Sequence, residues 1–86
     1  MTIQEAETSL RRYVDEGIPT GGFLRACLAN DLIGAVGMAD EESLLILYKI
    51  CCYIYANLPI DCHGSHKKVT TWIEAKRLKR AEASNA

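Results

Sequence analysis

Ile3, Ala6, Leu10, Tyr13 and Val14 recur at steps of three and four residues, which draws one apolar stripe along a helix of about four turns. Thr2 and Glu5 frame its start as a capping box, each side chain placed to meet the other's backbone amide. Gly17 supplies the left-handed residue that ends it. Ile18-Pro19-Thr20-Gly21-Gly22 is a tight connection, because Pro19 fixes one dihedral and turns Ile18 away from helix. Thr20 has the chemistry of an N-cap for a second helix. Its stripe is Leu24, Leu28, Leu32, Ala35 and Val36, with Phe23 and Cys27 beside it. Asn30 and Asp31 interrupt the apolar surface, and Gly34 and Gly37 weaken the last turns, so this helix should fray near Gly37.

Asp40 caps a third helix, with Glu41 and Glu42 at the positive end of its dipole. From Leu44 to Leu58 the sequence is apolar nearly all round, and Lys49 is its sole charge. The run is too short, and its lysine too central, for a membrane span. The pattern instead predicts a central helix touched on several sides, part of whose girth forms a subunit interface. Asn57-Leu58-Pro59 ends it, and a loop over 60–65 follows. Ser65 then caps a last helix with Val69, Trp72 and Ile73 facing inward and Lys76, Arg77, Lys79 and Arg80 suiting its negative end. The expectation is an all-α compact domain of about four helices with short loops, residues 1–80, followed by a frayed tail at 81–86.

Composition adds three points. With 49 % apolar residues, the 86-residue chain can build a core, yet a domain this small leaves much surface wet, which favours a homo-oligomer. The net charge is −1, which does not favour nucleic acid as a general partner. That charge is unevenly spread: residues 1–42 hold eight acids and three bases, residues 43–86 three acids and seven bases. Of the four cysteines, at least three are expected in the core as reduced, small hydrophobes. With no basic-then-apolar leader, the expected location is the cytoplasm.

No acid pair and no Ser-His-Asp set stands out, so no catalytic residue is assigned and no enzyme is expected. Cys62 beside His63 is adjacency, not geometry, and a nucleophilic thiol needs a base and an orienting group as well. Cys62, His63 and His66 lack a fourth ligand at a spacing zinc would demand, so no metal and no cofactor is assigned. Two loop-to-helix entries are richer. At Thr20, Gly21 and Gly22, free amides and a helix dipole favour an anion, with Arg25 one turn on and Tyr13 just before the turn. The plainer alternative is that the glycines permit close packing while Arg25 pairs with Asp31 or an acid of the first helix. The second entry, His63-Gly64-Ser65-His66-Lys67-Lys68, brings a hydroxyl, imidazoles and ammonium groups to a helix start. His63, Ser65 and Lys67 are taken as completing the ligand site, while the plain reading of Ser65 is a cap. Of the aromatics, Tyr53 points away from the face shared by Tyr48 and Tyr55 and is the one expected to be exposed.

Ile18-Pro19-Thr20-Gly21-Gly22-Phe23-Leu24-Arg25-Ala26, Asn30-Asp31-Leu32, Tyr53 to Pro59, Cys62-His63-Gly64-Ser65, Val69 and Trp72 together carry a likeness over roughly residues 10 to 75. The chain resembles a family of small uncharacterised bacteriophage- and prophage-encoded proteins, most specifically in the Ile-Pro-Thr-Gly-Gly-Phe-Leu-Arg stretch. The resemblance implies a setting in a host bacterial cell and a counter-defence role, and transfers no catalytic residue. The expected function is a non-enzymatic phage-type binding protein that sequesters a phosphorylated small ligand such as a nucleotide signal. The alternative is a protein–protein inhibitor of a host defence or regulatory protein. A helix-turn-helix DNA binder ranks third, against an acidic first half and no basic recognition helix.

Overall fold

The computed structural model describes residues 1–85. Its elements are α1 (Ile3–Glu16), α2 (Gly22–Leu28), α3 (Leu32–Met38), α4 (Glu41–Leu45), α5 (Leu47–Asn57), a 3-10 turn at Ile60–Cys62 and α6 (His66–Asn85). The all-α class stands, with six helices among the described residues where about four were expected.

The capping box forms as its residues dictate. Thr2 N–H donates to Glu5 Oε1 at 3.0 Å and Glu5 N–H to Thr2 Oγ1 at 3.1 Å. Gly17, at φ +71°, closes α1 by donating to the Tyr13 carbonyl. The expected second helix is two. Asn30 adopts φ +60°, its N–H meets the Cys27 carbonyl, and the Asp31 N–H meets the Ala26 carbonyl. That pair of bonds is a Schellman closure with asparagine in the left-handed place. Asp31 at once caps α3, its Oδ1 accepting from Gly34 N–H at 2.9 Å. The expected third helix is also broken, at Ile46, whose N–H turns to the Ser43 carbonyl in a 3-10 step. Ser65 caps α6 through Lys68 N–H. That helix continues to Asn85 through the segment expected to fray from Ala81; Ala86 lies outside the described residues.

The core is built by α1, α2, α5, the 3-10 turn and the first turns of α6: Ala6, Leu10, Tyr13, Val14, Leu24, Leu28, Ala29, Ile50, Ile54, Leu58, Cys62 and Val69. The break at Asn30 turns the helical stripe out of register, so Leu32 and Val36, expected inside, are exposed, while Ala35 is buried. The helix expected at the centre lies at an edge. Only Ile50 and Ile54 of α5 are buried, and Tyr48 and Tyr55 stand open. Tyr53 is the half-buried tyrosine, its hydroxyl accepting from Arg11 Nη2 at 3.2 Å, so the expected order of exposure is reversed. Cysteine burial is also corrected: Cys62 is buried, Cys27 half-buried, and Cys51 and Cys52 exposed. Among the described residues no helix is long and apolar enough to cross a membrane.

Candidate functional site

Arg25 is the organising side chain. It sits in the second turn of α2 and reaches across to α6, where Nη2 donates to Thr70 Oγ1 at 2.7 Å and to the His66 carbonyl at 3.4 Å. Its Nε donates to His66 Nδ1 at 3.3 Å. The other imidazole nitrogen, Nε2, lies 3.1 Å from Asp31 Oδ2. Both contacts are satisfied at once by one neutral tautomer: Nδ1 accepts from the guanidinium and Nε2–H donates to the carboxylate. Asp31 is thereby held below the usual carboxylate range, first by the His66 hydrogen bond and then by the Gly34 amide. Arg25 thus connects to Asp31 through an imidazole, not directly. His66 and Thr70 bear on Arg25 but were not among the assigned site residues. Their one-turn separation on a helix was the available signal, though nothing local tied that face to Arg25.

A cavity of about 140 Å³ opens beside this network, lined by Tyr13, Pro19, Thr20, Gly21, Arg25, Val69 and Ile73. Four of the eight expected site residues meet there: Tyr13, Thr20, Gly21 and Arg25. Their roles differ from expectation. Thr20 does not cap α2; its hydroxyl donates to the Gly21 carbonyl at 3.3 Å, and Gly21 is the N-cap, with no side chain capping the helix. Gly21 takes φ +89°, ψ 167°, a region that only glycine visits freely, and a Cβ there would meet open space. Gly22 is covered, since Met38 Sδ lies 2.6 Å from where its Cβ would be. Tyr13 lies beneath the cavity as a fully buried side chain, its hydroxyl donating to the Cys62 carbonyl at 2.6 Å in the core. Burial keeps that phenol far above its ordinary pKa, hence neutral.

The second loop does not join this cavity as one site. His63 lines a separate groove of about 310 Å³ with Cys27, Asn30, Cys51, Ile54 and Tyr55. Ser65 is spent on its cap. Lys67 is exposed next to His66 and lines neither cavity. Burial pushes the Cys62 thiol up to about 11 and the Cys27 thiol up to about 12, so both stay protonated near neutrality. Among the described residues, no three His, Cys, Asp or Glu side chains gather closely enough to hold a metal ion. Comparison with protein-family models, curated proteins and solved structures gives no match.

Proposed function

We propose that the protein is a non-enzymatic binding protein that captures one end of a phosphorylated small ligand in the Arg25 cavity. The supporting observation is Arg25 beside the open Gly21 turn, with Pro19 and Ile73 as accessible apolar flanks and the buried Tyr13 and Val69 beneath them. The hydrogen bonds of Arg25 use Nε and Nη2, which leaves Nη1 for an anion. The apolar walls suit a flat ring beside it. A cavity of about 140 Å³ is smaller than the ~300–1,000 Å³ usual for a whole small-molecule ligand, so the rest of the ligand lies outside. In the phage setting that the motif resemblance implies, a nucleotide defence signal has the right chemistry and its capture would counter host defence.

Isothermal titration against inorganic phosphate and a panel of linear and cyclic nucleotides tests this. A nucleotide should bind, and Arg25→Ala should weaken it by roughly 10- to 100-fold, the size expected for a lost charge-assisted hydrogen bond. Thr70→Val, which removes an anchor and keeps the charge, should cost less. Silence across the panel from folded protein refutes the reading.

A second reading is favoured by α3, which exposes Leu32, Ile33, Val36 and Met38 together, Ile33 at 82 %. Such a patch suits a protein–protein inhibitor of a host defence or regulatory protein. It requires a stoichiometric complex that Ile33→Asp abolishes and Arg25→Ala leaves intact.

A further inference from the structure

His66 stands between the guanidinium of Arg25 and the carboxylate of Asp31, and imidazole is the side-chain type that gains a proton between about pH 5 and 8. Its side chain is 53 % exposed and that of Asp31 40 %, so solvent protons reach the pair. The two ring nitrogens meet groups of opposite demand. The Arg25 Nε–H, 3.3 Å away, can only donate, so Nδ1 is the bare nitrogen. The ionised Asp31 Oδ2, 3.1 Å away, can only accept, so Nε2 carries the hydrogen. The Arg25 bond therefore exists for the neutral ring alone, whereas the Asp31 bond survives protonation and becomes an ion pair. Among the described residues the polar partners of the ring are Arg25 from α2 and Asp31 from the start of α3. The other titratable groups around it stand outside this network. Lys67 is its exposed neighbour, Lys68 reaches the Ile60 carbonyl, and His63 lines the separate groove. On the 3-10 turn, Asp61 is exposed, and Cys62 is buried and keeps its proton.

We infer that His66 is a pH-operated latch on Arg25: the neutral ring holds the guanidinium to α6, and the protonated ring releases it to an anion in the cavity. A hydrogen on Nδ1 would face the Arg25 Nε–H donor to donor and set an imidazolium beside a guanidinium. Nη2 stays tethered to Thr70 Oγ1 at 2.7 Å, so Arg25 is not lost from the site. Nε then joins Nη1 as a free donor at the cavity that Arg25 already lines. Charge runs in the same direction. With the ring neutral, the network holds one cation and one anion. With the ring protonated it holds two cations and one anion, because Asp31 lies below the usual carboxylate range and remains ionised. Anion affinity therefore rises as pH falls through the titration of the ring, and by reciprocity a bound anion draws a proton onto it. The latch takes its purpose from the ligand capture proposed at Arg25, but its geometry does not depend on that ligand.

Nitrogen NMR of the full chain tests the latch with no ligand present. In mildly alkaline buffer His66 Nδ1 should be the unprotonated nitrogen, and the Arg25 Nε–H should exchange slowly with water. As the ring gains its second proton, that exchange should quicken. Sulfate is the anion for the second measurement, because a phosphate monoester itself gains a proton near pH ~6 and would blur the result. Followed at the Arg25 resonances at fixed ionic strength, sulfate affinity should rise about five-fold or more between about pH 8 and about pH 5.5, the lower end of coupling between linked groups. His66→Gln, whose amide oxygen can still accept from Arg25, should erase the rise, and His63→Gln should keep it; circular dichroism checks that both variants fold. A protonated Nδ1 in alkaline buffer, an Arg25 Nε–H indifferent to the titration, a sulfate affinity flat with pH, or a rise that survives His66→Gln overturns the latch. The outcomes separate it from ligand capture. A nucleotide that binds equally at both pH values leaves capture standing and sinks the latch, while pH-dependent sulfate binding with silence from every nucleotide does the reverse.

Discussion

Tyr13 is buried as a whole beneath the Arg25 cavity, and its hydroxyl is committed to the Cys62 carbonyl. Tyr13→Phe keeps the ring and strands that carbonyl. Urea titration should show a loss of about 1–3 kcal/mol, the usual cost of an unpaired buried group. The two left-handed glycines on either side of Pro19 make a second comparison. An alanine at either position meets backbone strain of about 1–3 kcal/mol. At Gly17 its Cβ would in addition come 2.5 Å from Lys76 Cβ and 3.2 Å from the Ile73 carbonyl, whereas at Gly21 it meets nothing. Chemical denaturation should therefore rank Gly17→Ala below Gly21→Ala. Gly17 was readable in the sequence as a helix end, because a glycine after the last apolar step has few other meanings. The clash with α6 was not readable, since it depends on how two distant segments pack.

The helical elements were legible wherever a local rule decides alone. The Thr2–Glu5 box, the Asp40 cap and the Ser65 cap all form from side chains within three residues of the amides they satisfy. The break at Asn30-Asp31 was harder, because apolar residues at helical spacing continue on both sides of it. What decided the matter was a left-handed asparagine followed by a capping aspartate, two weak signals that act only in sequence. Asp31 then joins α3 to the His66–Arg25 network, which makes its charge a linkage between elements. Its carboxyl is held below the ordinary value, so its stabilising contribution is present above the unfolded Asp pKa of about 3.9 and disappears as pH falls through the lower folded value. Asp31→Asn retains a capping side chain and removes the charge. Unfolding midpoints measured from neutral pH into the acid range should fall less steeply for this variant than for the parent protein. The contrast should shrink in high salt, because both Asp31 and His66 are partly open to solvent.

At the scale of the molecule, the described chain measures 45 × 24 × 22 Å, and the second half of α6 adds no residue to the core. The Arg25 site exists only because α2 and α6 meet, with Arg25 and Thr70 separated by 45 positions. Half of the expected residues gathered: Thr20, Gly21 and Arg25 are close in sequence, with Tyr13 buried beneath them, whereas Gly22 is covered by Met38 and His63, Ser65 and Lys67 depended on how a remote loop would dock. The edge position of α5 was likewise invisible, since an apolar sequence reads the same whether its partner is the same chain or another. The docking of α6 rests on few anchors. Val69 is buried, and the Trp72 indole N–H lies 3.1 Å from the Tyr13 carbonyl and 3.2 Å from that of Val14. Val69→Ala should loosen it by about 0.5–2 kcal/mol, visible as a lower unfolding midpoint and faster amide exchange in α6. Trp72 is the chain's single tryptophan, and Lys76 Nζ stands 5.1 Å above its ring. The seam between first and last helices therefore carries a built-in optical label: undocking would move the indole from a carbonyl-lined crevice into water and shift its emission to longer wavelength, letting a fluorimeter follow that single joint without any added dye.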